Sequence, residues 1–251
     1  MIIHSRAPLR LGLAGGGTDI SPYCDTFGGF VISGAINRYA YTTLRLLEEP
    51  EIRFVATDKQ EQFISNLECA LPLDGKLNLH KAVYNHMIGY YNHGKPLSLE
   101  IKTFCEAPIG SGLGSSSTIV VSMIKAYIEL FNLPLDDYAI ANLAYKIERV
   151  DCGLQGGKQD QFSATFGGFN FMEFYDNNRN VINTLRIKNW IICELEASLV
   201  LFYTGVSRES SIIIADQTQN LFSSKDVALK AMHSIKNEAL VLKDSLLRGD
   251  F

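Results

Sequence analysis

Apolar and polar positions alternate early in the chain. Leu9, Leu11 and Leu13 alternate with Arg10 and Gly12, which predicts a half-buried strand with Arg10 on its other face. Residues 30–47 are rich in β-branched and aromatic side chains and predict one long strand or two, with residues 52–55 as a pairing partner. Leu97, Leu99 and Ile101 alternate again, so the first part of the chain is expected to be strand-rich. Further on the period changes. Ile119, Val120, Met123, Ile124, Tyr127, Ile128 and Phe131 recur at helical spacing. Asn132 and Pro134 break that helix, and Asp136 or Asp137 can cap a second one with Ala139, Ile140, Leu143, Ala144 and Ile147 on its apolar face. Gly153, Gly156 and Gly157 then mark a loop. Residues 169–175 and 197–203 read as strands, and 227–247 as a long helix. Strands and helices partly segregate, which predicts an α+β fold.

The junction between the two regimes reads Pro108-Ile-Gly110-Ser-Gly112-Leu113-Gly114-Ser115-Ser116-Ser117. Glycines let the backbone turn tightly and approach a ligand. The serines fall where a helix begins, so free N–H groups and the positive end of the helix dipole meet there. That combination outlines a phosphate-binding loop. No Gly-Lys-Ser/Thr closes it, so it is not a Walker A loop; Ser115 replaces the last glycine of a dinucleotide fingerprint. Taken alone, the stretch is equally a capped helix after a flexible loop.

Composition narrows the classes. The chain has 251 residues, 47% hydrophobic and 20% charged, with a formal net charge of −4, which argues for a globular protein and against a nucleic-acid partner. No apolar run approaches the roughly 20 residues of a membrane span, and no signal-peptide pattern opens the chain. Cys24, Cys69, Cys105, Cys152 and Cys193 are scattered, without a Cys-x-x-Cys pair, so neither a disulfide framework nor a zinc site is indicated. A cytoplasmic protein is the expectation.

Three segments together resemble the GHMP kinases, the superfamily of galactokinase, homoserine kinase and mevalonate kinase. The glycine-serine stretch is similar to their central ATP-binding motif. Arg6-Ala-Pro-Leu-Arg10-Leu-Gly-Leu-Ala-Gly15-Gly16-Gly17-Thr18-Asp19 is similar to their first motif and reads most like the subgroup acting on a heptose 7-phosphate. Gly156-Gly-Lys158-Gln-Asp160-Gln-Phe162 looks like the segment that carries the catalytic aspartate. The resemblance implies a two-domain fold, residues 1–185 and 186–251, with the active site in the cleft between them. It implies a sugar kinase using ATP and Mg2+ on the anomeric hydroxyl of a sugar phosphate, and it admits a homodimer. A fucose or galactose 1-kinase remains open, as does a non-catalytic sugar and nucleotide sensor.

Roles follow from the resemblance. Pro108, Gly110, Gly112, Leu113, Gly114, Ser115, Ser116 and Ser117 would hold ATP. Ser116 and Glu148 would supply a hydroxyl and a carboxylate to Mg2+, a cation that takes oxygen ligands and keeps several waters. Without that context Glu148 is an exposed helix charge beside Arg149 or Lys146. Asp160, expected in a loop, would accept or align the acceptor hydroxyl; otherwise it is a turn former. Arg10 would offset charge developing on the acceptor oxygen. Gly15, Gly16, Gly17, Thr18 and Asp19 would bind the sugar, with Asp19 accepting from two vicinal hydroxyls. Lys158, Arg6 and Arg208 are candidates for the substrate phosphate. The family's third, Gly-Ala-Gly-type motif is missing after Gly205, where only Gly249 follows. The C-terminal domain is therefore expected to be incomplete, with an apolar patch exposed or covered by another chain, and the chain as it stands to be poorly stable and nearly inactive.

Overall fold

The computed structural model describes residues 1–108, 110–202 and 225–250, the last segment with side chains from residue 227. Strand β1 (Ile2–Ala14) pairs antiparallel with the long β2 (Gly29–Leu46), Arg10 opposite Ala35. The other edge of β2 serves two partners in succession. Ala40–Leu46 pair with β5 (Leu99–Cys105), and Gly29–Gly34 pair with β6 (Phe169–Phe174). The β5 side continues through β3 (Glu51–Ala56) to β4 (Glu61–Asn66), and the β6 side ends at β7 (Asn180–Thr184). Among the described residues only β3 and β5 run parallel, and the connection between them carries helix α2 (Asn78–Tyr91), as a parallel pair requires.

Strand alternation sends neighbouring side chains to different faces. Val31 joins a cluster with Cys24, Phe162 and Met172, where α4 (Asp137–Tyr145) and α5 (Gln159–Phe166) cover the sheet. Ile32 faces the opposite way and packs with Phe171, Ala239 and Leu246, the last two from α7 (Lys225–Arg248). The largest cluster joins Leu9, Leu44, Phe54 and Ile101 of the sheet to Met87 of α2 and to Val120, Ile124 and Tyr127 of α3 (Ser115–Phe131). A five-residue helix, α1 (Tyr23–Phe27), and a peripheral one, α6 (Asn189–Ser198), complete the described helices apart from a π-helical turn, Lys146–Asp151.

Several expectations need correction. Residues 52–55 do form a strand, but it pairs with β4 and β5 instead of β2. Residues 197–203 are not a strand: α6 runs to Ser198, residues 199–202 are irregular, and Tyr203 lies outside the described residues. Asp160 lies in the first turn of α5 and not in a loop. Helix α2 was unmarked in the sequence because Leu77 precedes it in a left-handed conformation, φ 50°, with no side-chain cap. Val200 and Phe202 are 86% and 83% exposed, an apolar surface next to α6. Among the described residues, no helix is long and apolar enough to cross a membrane.

Candidate active site

The site is built where β1, the turn before α3, the π-helical turn and α5 converge. Gly110, Gly112 and Gly114 all have positive φ, 71°, 74° and 76°, a conformation that costs glycine little. Gly114 caps α3 without any side chain accepting from the first amides, so these N–H groups remain available to an anion. The Ser111 hydroxyl in the same loop is buried without a partner. Pro108 opens the loop, its carbonyl accepting from Ser111 N–H at 3.2 Å. Leu113 packs against the main core, and its carbonyl accepts from Arg10 N–H at 3.3 Å, tying the loop to β1.

Arg10 meets Asp160 across the site. Its Nε and Nη2 donate to the same oxygen, Asp160 Oδ1, at 2.8 and 2.6 Å, and Nη1 donates to the Gly112 carbonyl. Asp160 Oδ2 is left outside this pair. A methyl group added at Gly114 would stand 3.4 Å from that oxygen and 3.5 Å from Arg10 Nε, so the pair lies directly against the anion loop. The Asp160 side chain is 24% exposed, open enough for a hydroxyl to reach it.

Glu148 stands in the π-helical turn, where the extra residue re-aims side chains relative to a regular helix. Its Oε2 accepts from Ser117 Oγ at 2.5 Å and from Gln161 Nε2 at 2.6 Å, and Gln161 Nε2 also reaches Ser117 Oγ at 3.1 Å. The hydroxyl beside Glu148 is thus Ser117; Ser116 is exposed and faces a neighbouring cavity. Glu148 is 1% exposed, and burial holds its carboxyl above the ordinary range, opposed by the Arg149 guanidinium at 3.5 Å. Among the described residues no group of three or more His, Cys, Asp or Glu could hold a metal. One carboxylate and one hydroxyl still fit Mg2+, whose remaining ligands come from phosphates and water.

The loop of Gly15, Gly16, Gly17, Thr18 and Asp19 is more structural than predicted. Thr18 Oγ1 donates within the loop and accepts from Phe30 N–H at 3.0 Å, stitching the loop to β2. Gly15 lies so close to the Phe30 carbonyl that a Cβ would come within 1.9 Å of its oxygen. Asp19 is buried and accepts from Gln159 N–H at 2.8 Å and Gly17 N–H at 3.2 Å. Burial raises its pKa, with the charge of Asp160 adding to the effect against those backbone donors. Its carboxylate anchors the start of α5. Gly16 is the exposed member of the loop.

Two of the three candidate phosphate-binding cations lie among the described residues. Lys158 is 5% exposed, its ammonium 5.9 Å from the Tyr145 ring centre. Arg6 lies on the outer face of β1, its guanidinium 4.5 Å over the Tyr39 ring. Arg208 lies outside the described residues.

Two features escaped the sequence reading. Gln161 follows Asp160 in α5 and donates to both Ser117 and Glu148; its place one residue after Asp160 was the available signal. A cavity of about 360 Å3 opens beside Gly110, Ser115 and Ser116, lined also by Asp58, Asn78 and His80. Its size suits a nucleoside, and α2, absent from the predicted elements, supplies part of its wall.

An anion loop at a helix start, with a carboxylate–guanidinium pair against it, defines a phosphoryl-transfer site. Residues 78–168 match the model of the GHMP kinases N terminal domain. The chain is 49% identical over 249 residues to D-glycero-alpha-D-manno-heptose 7-phosphate kinase of Campylobacter jejuni subsp. jejuni, which covers 99% of this chain and 73% of that protein. A crystal structure described as D-glycero-D-manno-heptose 1-phosphate kinase from Bacteriodes thetaiotaomicron superposes with a TM-score of 0.87 at 45% identity, over 100% of this chain and 74% of that one. Mevalonate kinase of Methanococcus jannaschii shares the fold, with a TM-score of 0.69 at 21% identity over 96% of this chain and 72% of that one. The chain belongs to the GHMP kinase family. It is a phosphotransferase of the sugar-kinase kind, with an alcohol group as acceptor and ATP as donor.

Proposed function

We propose that this protein transfers the γ-phosphoryl group of ATP to the anomeric hydroxyl of D-glycero-D-manno-heptose 7-phosphate, giving the 1,7-bisphosphate. The observation that carries the reading is the Arg10–Asp160 pair, with Oδ2 turned to the anion loop. A hydroxyl held by Oδ2 lies between the carboxylate and a phosphate seated on the α3 amides. Asp160 aligns that hydroxyl and accepts its proton as the O–P bond forms. Arg10 keeps the carboxylate in place and offsets negative charge on the acceptor oxygen. Glu148 and Ser117 are the oxygen donors that would hold Mg2+, which would supply charge neutralisation at the phosphates. Gln161 keeps both donors in register with α5.

The heptose assignment draws support from the names of the relatives at 49% and 45% identity, which differ in where they place the phosphate already on the sugar. A cytoplasmic setting is supported by five free cysteines. The test is turnover on heptose 7-phosphate against the unphosphorylated heptose and free hexoses. The 7-phosphate sugar should show the highest kcat/KM by at least about tenfold, since binding energy from the remote phosphate positions the reacting hydroxyl. Equal values for phosphorylated and plain heptose would overturn the assignment.

A further inference from the structure

Helix α5 carries Asp160 in its first turn, yet no side chain of Lys158 caps its start. The place where α5 begins is therefore held from outside the helix. One outside contact is Asp19, whose Oδ2 accepts from Gln159 N–H at 2.8 Å. A second comes from Arg149 in the π-helical turn. Its Nη1 donates to the Gln155 carbonyl at 3.1 Å, and its Nε donates to the Gly157 carbonyl at 3.4 Å. The same Nη1 lies 3.5 Å from Glu148 Oε1, the oxygen opposite the one that accepts from Ser117 and Gln161. The Arg149 side chain is only 13% exposed. Residues 155–159 are thus held by a guanidinium at one end and a carboxylate at the other. The two glycines between them permit this closeness. A Cβ at Gly156 would stand 2.3 Å from Arg149 Cζ, and one at Gly157 would stand 2.0 Å from Asp19 Oδ2.

A guanidinium presents its donors in a rigid, planar fork, so one side chain can hold two carbonyls and a carboxylate in a single geometry. We infer that Arg149 is a positioning residue for phosphoryl transfer: it fixes residues 155–157 against Glu148 and so sets where α5 delivers Asp160 to the acceptor hydroxyl, which rests on Asp160 being the group that takes the hydroxyl proton. Arg149 acts through these contacts and not on the reacting atoms. A misplacement of about 1 Å at a reacting group costs on the order of 10²-fold in rate.

Arg149→Gln should lower kcat by about 10²-fold while KM for ATP and for heptose 7-phosphate stays within threefold, with a thermal melt to confirm that the variant is folded. Arg149→Lys keeps the positive charge beside Glu148 but not the fork, and should still lose at least about tenfold in kcat; it carries the test if Arg149→Gln does not fold. In an Asp160→Asn background the loss on adding Arg149→Gln should shrink to within threefold, because the group that Arg149 positions has already been disabled. Parental kcat in Arg149→Gln, a loss confined to KM, full recovery of kcat by Arg149→Lys, or the same loss with and without Asp160 would each overturn this inference and leave the Asp160 reading standing. Parental kcat in Asp160→Asn alone would overturn that reading, and this inference with it.

Discussion

At the scale of single residues, the catalytic claim rests on Asp160. Asp160→Asn keeps the shape of the α5 start but cannot take the hydroxyl proton. It should lower kcat by about 10²–10⁴ while ADP affinity stays within threefold; a kcat within threefold of the parent would remove Asp160 from the role of base. Glu148 allows a second test, because its carboxyl is raised by burial. A carboxyl raised in the folded state stabilises the protein fully below its unfolded value, and that contribution is lost as pH rises through the folded one. Glu148→Gln should therefore raise Tm relative to the parent more at pH 8 than at pH 4.5, while turnover collapses. A Tm difference independent of pH would contradict this. The pairing of Arg10 with Asp160 was legible because both residues sit in motifs whose chemistry demands them. The burial of Asp19 and Lys158 was not, because a short motif carries no information about which side chains the neighbouring elements cover.

At the scale of elements, the amide-bearing end of α3 is the part most exposed to testing. Gly114 combines φ 76° with the Asp160 and Arg10 side chains 3.4 and 3.5 Å from an added Cβ. Valine there is strained in the left-handed region and crowds the Arg10–Asp160 pair. Gly114→Val should weaken ADP at least about tenfold and cost about 1–2 kcal/mol of stability; unchanged ADP affinity would show that the loop does not carry the phosphates. Elements with strong periodicity and real stop signals were readable. Helix α3 ends at Asn132 with φ 50°, and Asp136 Oδ1 caps α4 by accepting from Ala139 N–H at 2.8 Å. Helix α2 and the inner position of β5 were not readable. The first has no polar cap, and the second depends on a crossover whose partners lie far apart in sequence. The π-helical turn was hidden too, since residues 146–151 continue the helical pattern and only hydrogen bonding distinguishes them.

At the scale of the molecule, β2 is the inner strand, paired with β1, β5 and β6, that brings the anion loop, the glycine-rich turn and α5 to one place. The sheet also holds His80 against Thr103, deep beside the cavity near Ser115 and Ser116. Its pKa is lowered from 6.5 to about 4, so the folded state resists protonation that the unfolded chain accepts. That stability is present above pH 6.5 and is lost as pH falls toward 4, by on the order of 3 kcal/mol. Urea denaturation between pH 7 and pH 4 should show this slope, and His80→Gln should flatten it; an identical slope in the variant would assign it to other groups. The α+β class and the order of the three motifs were readable along the whole chain, whereas the packing of α7 on β2 was not, because its apolar stripe named no partner. The central claim is that the Arg10–Asp160 site phosphorylates the anomeric position of a heptose 7-phosphate. The most direct measurement is phosphorus NMR of the product formed from ATP, Mg2+ and D-glycero-D-manno-heptose 7-phosphate. A new anomeric phosphate resonance coupled to the C1 proton, with the 7-phosphate retained and ADP formed in equal amount, is the predicted result. Phosphate appearing at any other position, or ADP formed without a sugar bisphosphate, would contradict it.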